Sequence, residues 1–367
     1  MDRFAFILML ALVAIGLLLA FAASPAATGG PLTEGDFRYA AKQIAFAAIA
    51  VIMLMVTSSL SLRTVKRLSA FVYFGAVAGS ALALLGGSAV LGARRWIDLG
   101  ILTLQPSEFL KPSFAVLAAA ILADDAKLIV SKELATLALA APALLILVLQ
   151  PDVGQTGLLL ALWAALLFFY GISLTFIGVL AGASALLGTL AYELIPHVHH
   201  RVNQFFDPHA LGYQPATALK AFSHGGMTGV GPGAGTVKYH LPDAHSDFIF
   251  AVAGEEFGII FCGIIVLLFC VLCVRLLLRS ARTGNAFSSL AGSGLAIVVG
   301  LQAFINMGVA VNLLPTKGMT LPFISYGGSS LFAIALTMGF ALALSRRRSR
   351  IGESDCDLFG FLRVAPA

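Results

Sequence analysis

A carboxylate stands at the mouth of an apolar helix in the stretch from Leu241 to Gly258, LPDAHSDFIFAVAGEEFG. The polar part of this stretch ends at Asp247, and a long apolar run follows it. An ionisable group at the start of a membrane helix is costly to place, so its presence predicts a function. An aspartate there can serve as a general base or hold a cation. We therefore predict that Asp247 is the catalytic residue.

Cationic side chains gather in a second polar segment, residues 92–111, which reads GARRWIDLGILTLQPSEFLK. Arginine suits bidentate contact with phosphate, and lysine suits a point-charge contact. Arg94 and Arg95 also fit an ordinary anchor at the membrane interface. Glu108 and Lys111 do not, because they lie one turn apart inside an apolar run and should face the bundle interior or a wet cavity. All four residues are predicted to contact an anionic substrate.

Further ionisable groups fall on the same predicted side of the bundle. Asp152 follows one apolar run, and Lys317 lies among helix breakers ahead of the last run. Glu255 follows Asp247 by eight residues, about 12 Å along a helix, so we expect it close to the same face but deeper. We predict one cavity in which His245, Lys317 and Glu255 bind substrate. Asp247 or Glu255 could also hold a divalent cation, Mg²⁺ or Mn²⁺, and no organic cofactor is expected.

The long connection 195–247 contains all seven histidines of the chain and a glycine-rich stretch, HGGMTGVGPGAGTVK, at 224–238. The histidine spacing, including HVHH at 197–200, matches no structural zinc site, which makes ordinary interfacial histidines the better interpretation. The glycines allow two readings. They form either a tight irregular turn or a backbone that aims N–H groups at an anionic ligand.

The elements that must position these residues are transmembrane helices. Of the 367 residues, 59% are hydrophobic and 11% charged, and the mean hydropathy is +0.95. A water-soluble fold of this length could not bury that much apolar surface, so the chain is predicted to be an all-α polytopic membrane protein. Apolar runs suited to a hydrocarbon core recur about ten times. They lie near 5–23, 39–59, 68–91, 107–123, 133–149, 156–171, 174–194, 248–278, 288–312 and 322–344.

The basic residues predict the orientation of the bundle. Lysines and arginines concentrate in alternate connections, around 63–67, 127–132, 275–282 and 346–350, which places both termini in the cytoplasm. The long 195–247 loop between the seventh and eighth spans is then extracytoplasmic. This topology accounts for the net charge of +5, so no nucleic-acid partner is needed. Residues 1–348 are predicted to form one transmembrane domain, and 349–367 a cytoplasmic tail.

Six motifs give the chain a family resemblance over roughly residues 5–348. Their sequences are LQPSEFLKP (104–112), LQPDVGQT (149–156), RVNQFFDP (201–208), GVGPGAGTVK (229–238), LPDAHSDFIFAVAGEEFG (241–258) and NLLPTKGMTLPFISYGGSS (312–330). In this order they resemble the SEDS family of shape, elongation, division and sporulation proteins, and its division branch more than its elongation branch. Ser246 stands where the family more often has threonine, Val230 where it often has arginine, and Ala234 where it often has glutamate.

The resemblance implies a ten-helix enzyme of the bacterial inner membrane, at the division septum. Such an enzyme polymerises lipid II on a glycan linked to undecaprenyl pyrophosphate. It works with a class B penicillin-binding protein, an FtsI-like transpeptidase, and with other divisome proteins. The family's essential aspartate corresponds to Asp247, and a downstream glutamate to Glu255.

Three alternatives remain open at this point. The chain could be a lipid II flippase with no bond-making step, or a scaffold that recruits a partner synthase. It could also be a polymerase of the elongation branch. An anion-binding cavity serves a carrier and a catalyst alike, and a polymerase needs a basic carboxylate whereas a scaffold does not.

Overall fold

The computed structural model describes residues 2–28, 37–90, 93–100, 103–124, 129–194, 199, 203, 212–315 and 318–346. These residues form eleven α-helices, three short β-strands and a 3₁₀ turn at Val237–His240. The helices are α1 (Arg3–Thr28), α2 (Arg38–Ser58), α3 (Leu62–Gly86), α4 (Ser107–Leu122), α5 (Lys132–Leu149), α6 (Val153–Tyr170), α7 (Leu174–Leu194), α8 (Tyr213–Gly225), α9 (Ile249–Ala281), α10 (Ala286–Ala310) and α11 (Gly328–Leu344).

Ten of these helices coincide with the ten predicted spans, and the added one is α8. Seven of them, namely α1, α2, α3, α5, α6, α9 and α10, are long and apolar enough to cross a membrane. Helix α4 has 16 residues and α11 has 17, and neighbouring helices bury nearly all of their side chains. Short helices are tolerated at membrane depth where protein rather than lipid surrounds them. The chain is a multi-pass membrane protein.

The bundle is built around α4, α10 and α11. Helix α4 packs on α3, α5, α6 and α10, and α11 packs on α2 and α10. Helix α9 lies against α10 and α1, and α8 lies against α9. The central helices are therefore the ones that can carry polar side chains away from lipid.

The all-α fold class is confirmed, and a small antiparallel sheet that was not predicted follows α3. Strands β1 (Ser88–Val90), β2 (Ala93–Asp98) and β3 (Thr103–Leu104) are ordered β1-β2-β3. Ser61 caps α3 by accepting a hydrogen bond from Thr64, so this helix begins six residues earlier than predicted and ends at Gly86. Trp96, Ile97 and Thr103 have side chains that favour β-strands. The span was predicted from hydropathy, which does not distinguish a strand from a helix.

Helix α9 is interrupted at Gly258, whose φ of 83° and ψ of 175° are not helical. In a regular helix the N–H groups of Ile259 and Ile260 would donate to the carbonyls of Glu255 and Glu256. The break leaves these two donors and two acceptors without partners inside the helix.

The glycine-rich segment 226–231 supplies the partners of the broken turn. The carbonyls of Gly226 and Met227 accept from the two donors at 3.0 and 3.2 Å, and the N–H groups of Val230 and Gly231 donate to the two acceptors at 3.0 and 3.1 Å. Residues 249–256 ahead of the break are all buried in protein. The extracytoplasmic loop is thus built into the wall of the bundle at α9.

The two ends of the bundle differ in character. At one end the Asp2 carboxylate accepts hydrogen bonds from Arg275 and Arg279, each at 2.9 Å, and Arg346 donates to the carbonyl of Ser59 at 3.2 Å. Both ends of the described chain therefore lie at this basic end, as predicted for the cytoplasmic side. The sheet and the loops that precede α9 and α11 lie at the other end. The predicted tail 349–367 lies outside the described residues.

Candidate active site

A cavity of about 690 Å³ opens at the end of the bundle opposite the termini. The start of α2, strand β2, the turn between α5 and α6, and the loops before α9 and α11 form its walls. Its charged lining residues are Asp98, Glu108, Asp152, Asp243, Asp247, Lys42 and Arg95. Four segments that the sequence analysis singled out separately therefore meet at one site.

Asp247 is held in this wall by a tight turn. The carbonyl of Asp243, a residue with a φ of 53°, accepts the N–H groups of Ser246 at 3.1 Å, Asp247 at 3.0 Å and Phe248 at 3.2 Å. From α10, the amide Nδ2 of Asn306 donates to the Asp247 carbonyl at 2.9 Å. Backbone on both sides of the carboxylate is therefore fixed, and the partly buried side chain borders the cavity.

The environment of Asp247 makes it a stronger base than an ordinary aspartate. Burial, with a smaller contribution from the nearby charge of Asp243, raises the pKa of Asp247 to about 7. Both causes act by disfavouring the ionised carboxylate. A carboxylate with this pKa is suited to accept a proton near neutral pH.

The loop before α11 closes over the Asp247 turn. Ser325 Oγ donates to the carbonyl of Ser246 at 2.5 Å, and the N–H of Tyr326 donates to the carbonyl of His245 at 2.9 Å. A Cβ atom on Gly318 would lie 3.1 Å from Oδ2 of Asp247. Lys317 lies outside the described residues, so its predicted role remains a prediction.

Arg95 and Asp152 form the opposite polar wall. Arg95 donates through Nε to the carbonyl of Gln150 at 3.1 Å and through Nη2 to that of Pro151 at 2.6 Å. Its Nη1 lies 3.6 Å from Oδ2 of Asp152. Burial raises the pKa of Asp152, and the charge of Arg95 opposes that rise. The guanidinium thus tethers β2 to the α5–α6 turn as well as lining the cavity.

Glu108 and Lys111 form a buried pair, and only Glu108 borders the cavity. Lys111 Nζ lies 2.6 Å from Glu108 Oε2 and 2.7 Å from Gln302 Oε1. The side-chain amide of Gln155 donates to the other oxygen of Glu108. The pair faces the bundle interior, as expected, and Lys111 stands behind Glu108 rather than on the cavity surface.

Glu255 does not lie on the face of Asp247. Asp247 lies in a turn ahead of the first residue of α9, Ile249, so helical spacing does not relate the two side chains, and Glu255 points toward the loop beside α8. Its buried carboxylate accepts hydrogen bonds from the N–H groups of Thr236 and Val237, both at 2.7 Å, and of Lys238 at 2.9 Å. Nδ1 of His224 lies 2.9 Å from the same carboxylate.

This contact decides between the two readings of the glycine-rich stretch. Its backbone does present N–H groups to an anion, and that anion is the protein's own Glu255. A Cβ atom on Gly235 would lie 3.0 Å from the Glu255 carboxylate, so the glycine permits the close approach. Glu255 does not line the cavity in this arrangement.

Two cavity features escaped the sequence analysis. Tyr39 and Lys42 line the cavity from the first turns of α2, and Tyr326 lines it from the loop before α11. The spacing of Tyr39, Lys42 and Phe46 puts them on one helical face, and this periodicity was the available signal. Arg94, in contrast, is exposed, donates to the carbonyl of Leu85 at 3.3 Å and does not line the cavity.

A divalent cation would find two carboxylates in the cavity turn. Asp243 and Asp247 lie close enough for the charge of one to shift the pKa of the other. Among the described residues, no group of three or more His, Cys, Asp or Glu side chains could hold a metal ion. Two carboxylates completed by substrate phosphates and water suit Mg²⁺, so the pair fits such an ion.

Sequence comparisons identify relatives along nearly the whole chain. The profile of the FtsW, RodA and SpoVE family, described as cell cycle protein, matches residues 2–350. A probable peptidoglycan glycosyltransferase FtsW from Caulobacter vibrioides (strain NA1000 / CB15N) is 42% identical over 358 residues, 96% of this chain and 91% of the relative. The protein of the same description from Nitrosomonas europaea is 35% identical, over 91% of this chain and 90% of its own.

Solved structures share the fold. A chain from a study of the structural coordination of polymerization and crosslinking by a peptidoglycan synthase complex superposes with a TM-score of 0.80 at 28% identity, covering 94% of this chain and 97% of that one. The crystal structure of the Thermus thermophilus rod shape determining protein RodA gives a TM-score of 0.68 at 26% identity, with 94% and 95% covered.

Proposed function

This chain belongs to the FtsW, RodA and SpoVE family of cell cycle proteins, and from that premise we propose how it works. It is a peptidoglycan glycosyltransferase that polymerises lipid II into β-1,4 glycan strands for the septal wall, and Asp247 is its general base. The relatives named above are described as probable peptidoglycan glycosyltransferases FtsW, which supports this activity.

The reaction joins two lipid-linked sugars. The 4-hydroxyl of the incoming disaccharide attacks C1 of the growing glycan, which is α-linked to undecaprenyl pyrophosphate. The new C1–O4 bond forms as the C1–O bond to pyrophosphate breaks, and inversion at C1 gives the β linkage. Asp247 takes the hydroxyl proton, and the pyrophosphate leaves with the electron pair. A hydroxyl is a poor acid, so the base contributes directly to the rate.

The observation that carries this proposal is the position of Asp247 on the cavity wall together with its raised pKa. Its pKa of about 7 and its place on the wall of a polar cavity give the chain a proton acceptor where a lipid head group can reach it. A scaffold has no use for that basicity. The relatives described as peptidoglycan glycosyltransferases favour the polymerase over the flippase.

The leaving pyrophosphate needs positive charge. Arg95 lines the cavity and supplies positive charge there, whereas Lys111 is paired with Glu108 and does not border the cavity. If Asp243 and Asp247 instead held a Mg²⁺ or Mn²⁺ ion, the ion would add positive charge beside the phosphates and Asp247 would serve as its ligand rather than as the base. The assignment of Arg94, Lys317 and His245 to substrate binding stays a prediction.

The partner is a class B penicillin-binding protein of the divisome, an FtsI-like transpeptidase at the septum. This part of the proposal rests on the structural relative, which is described as a peptidoglycan synthase complex that coordinates polymerization and crosslinking.

Purified protein, with and without a class B partner, tests the function when it is incubated with fluorescent lipid II. We expect glycan strands on a gel, in amounts that depend on this chain. A sample that moves lipid II across vesicle membranes and forms no polymer would establish the flippase instead.

A further inference from the structure

Helix α2 presents a stripe of side chains to the cavity that the mechanism above leaves unused. Tyr39, Lys42 and Phe46 follow one another at intervals of three and four residues and all line the cavity. Lys42 is exposed there. An exposed lysine and two aromatic rings on one cavity wall are the elements of a site for a ligand that is part apolar and part anionic.

The aromatic wall continues into the two loops that hold Asp247. The ring centroid of Tyr39 lies 4.9 Å from that of His245 and 5.1 Å from that of Tyr326, and the His245 and Tyr326 rings are 5.4 Å apart. All three rings are partly exposed on the cavity. They form an aromatic surface of three side chains.

This surface lies beside the proposed base. His245 precedes Asp247 by two residues, which limits the separation of their Cα atoms to roughly 7 Å. The N–H of Tyr326 donates to the His245 carbonyl, and Ser325 donates to that of Ser246. A ligand resting on the rings therefore has its reacting end within reach of the carboxylate.

Besides Arg95, the cavity offers the anionic part of such a ligand one further cation. Five lining side chains are carboxylates, and Arg95 already contacts Asp152 and two backbone carbonyls. Lys42 is the other lining cation in the described part of the chain, and it lies one helical turn from Tyr39. A phosphate attached to a ring-bound group is stabilised at Lys42 and repelled by the carboxylates.

We propose that Tyr39, His245 and Tyr326 bind the hexosamine ring next to the pyrophosphate of the lipid-linked glycan, and that Lys42 binds that pyrophosphate. The proposal rests on the polymerase function above and names its sugar and phosphate subsite. A gluco-configured pyranose carries its hydroxyls around the rim and its C–H bonds on the two faces. Those faces are apolar and slightly positive, and aromatic faces are apolar and negative.

Equilibrium binding of two probes to the purified full-length protein tests the subsite. Fluorescent lipid II carries both the sugar and the pyrophosphate, and undecaprenyl pyrophosphate carries no sugar. Lys42→Met should weaken the binding of both probes by about tenfold or more, because a charged hydrogen bond is lost. Tyr39→Leu should weaken lipid II several-fold and leave undecaprenyl pyrophosphate unchanged, whereas Tyr39→Phe should match the parent for both.

Matched controls exist on the same side of the bundle. Lys220 and Tyr213 on α8 are exposed and do not line the cavity, so Lys220→Met and Tyr213→Leu should bind both probes like the parent. Lys42→Arg serves as a second variant, since it keeps the charge and should retain pyrophosphate binding.

Three results would overturn the subsite. The first is that Lys42→Met and Tyr39→Leu bind both probes as the parent does. The second is that Tyr39→Leu loses affinity for both probes equally, and the third is that folded Lys42→Arg does not bind undecaprenyl pyrophosphate. Because the probes are measured without turnover, these outcomes are separate from failure of the proposed function. That failure would appear as a parent protein that binds lipid II and makes no polymer.

Discussion

The proposed chemistry of this chain depends on the environment in which the fold places one carboxylate. Asp247 is ordinary in sequence, and its proton affinity is set by burial and by Asp243 four residues earlier. Asn306 and the 318–326 loop fix its backbone, and Gly318 leaves room for its oxygen. The residue therefore combines a raised pKa with a fixed position, which are the two requirements of a general base.

A pH profile tests the raised pKa. Protonated Asp247 cannot accept the hydroxyl proton, so the polymerisation rate should rise as the pH rises through about 7 and be lost below it. Asp243→Asn removes a neighbouring negative charge, which lowers the pKa of Asp247 and moves the acid limb of the profile to lower pH. Initial rates between about pH 5 and about pH 9 would measure the shift.

Asp98→Asn is the matched control for this profile, since Asp98 also lines the cavity and contributes no part of the Asp247 shift. Its acid limb should coincide with that of the parent. An Asp243→Asn profile superimposable on the parent would contradict the electrostatic account of Asp247.

Gly318→Ala tests the fixed position. The new methyl group would lie 3.1 Å from Asp247 Oδ2 and push the carboxylate aside. We expect turnover to fall roughly tenfold to a hundredfold, as displacement of a catalytic group does, with unchanged thermal stability. Gly86→Ala, where a Cβ meets nothing within 4 Å, should retain the parent rate. Full activity of folded Gly318→Ala would show that Asp247 tolerates displacement.

The sequence was enough to predict Asp247 but not its surroundings. A carboxylate beside an apolar run can be recognised from the sequence alone. The contact of Glu255 with Thr236 depends on how distant segments fold together. The same is true of the α2 side chains that line the cavity beside Asp247. Helical spacing placed Glu255 too close to Asp247, because Asp247 lies in a turn ahead of α9 and not on the helix.

Among the elements, the interrupted helix α9 links the extracytoplasmic loop to the bundle. Backbone groups of residues 226–231 make the hydrogen bonds that the helix lacks at Gly258. The same loop supplies the N–H groups that surround the Glu255 carboxylate. Lys238 adds a buried ion pair with Glu256 and a hydrogen bond to the carbonyl of Ala22 at 2.7 Å. The loop that leads to Asp247 is therefore anchored to α9 and α1.

Gly258→Ala should destabilise this anchor. Residue 258 has a positive φ, and a Cβ there would lie 2.3 Å from the Met227 carbonyl oxygen and 2.5 Å from the Gly229 nitrogen. Backbone strain of this kind costs on the order of 1–3 kcal/mol, and the clash adds to it. Thermal unfolding in detergent should show a lower midpoint than the parent.

Gly263→Ala provides the comparison on the same helix, because a Cβ at Gly263 meets nothing within 4 Å. Its unfolding midpoint should equal that of the parent or exceed it slightly, since alanine favours helix. Equal midpoints for the Gly258 and Gly263 variants would argue against the loop's role in the broken turn.

Hydropathy predicted the ten membrane helices because each must be apolar over most of its length. It could not reveal the break in α9, since hydropathy averaged over a whole span absorbs Glu255 and Glu256 into the apolar run on both sides of Gly258. It also extended the predicted α3 into the strand region, because Ala89 and Val90 are apolar and compatible with either a helix or a strand. Helix α8 lay within a loop whose composition gives no apolar period long enough to identify it.

At the scale of the whole molecule, the two ends of the bundle have separate tasks. The end with Asp2, Arg275, Arg279 and Arg346 carries both ends of the described chain. The other end carries the cavity. Under the rule that basic connections stay inside, the cavity faces the side on which cell-wall precursors are polymerised.

Cysteine labelling tests this orientation. In a variant that lacks the four native cysteines, His240→Cys is exposed at the cavity end and Thr64→Cys is exposed at the basic end. An impermeant maleimide applied from outside the cytoplasmic membrane should label the first and leave the second unlabelled until the membrane is permeabilised. The reverse pattern would place Asp247 on the cytoplasmic side and remove it from its substrate.

The central claim is that Asp247 is the base of a lipid II polymerase, and Asp247→Asn tests it most directly. The amide keeps the size of the side chain and, like the protonated acid, carries no charge, so folding and recruitment of the partner should survive. Polymerisation of fluorescent lipid II by the purified protein with its class B partner should fall by about 10² to 10⁴. A folded Asp247→Asn protein that polymerises lipid II at close to the parent rate would contradict the mechanism.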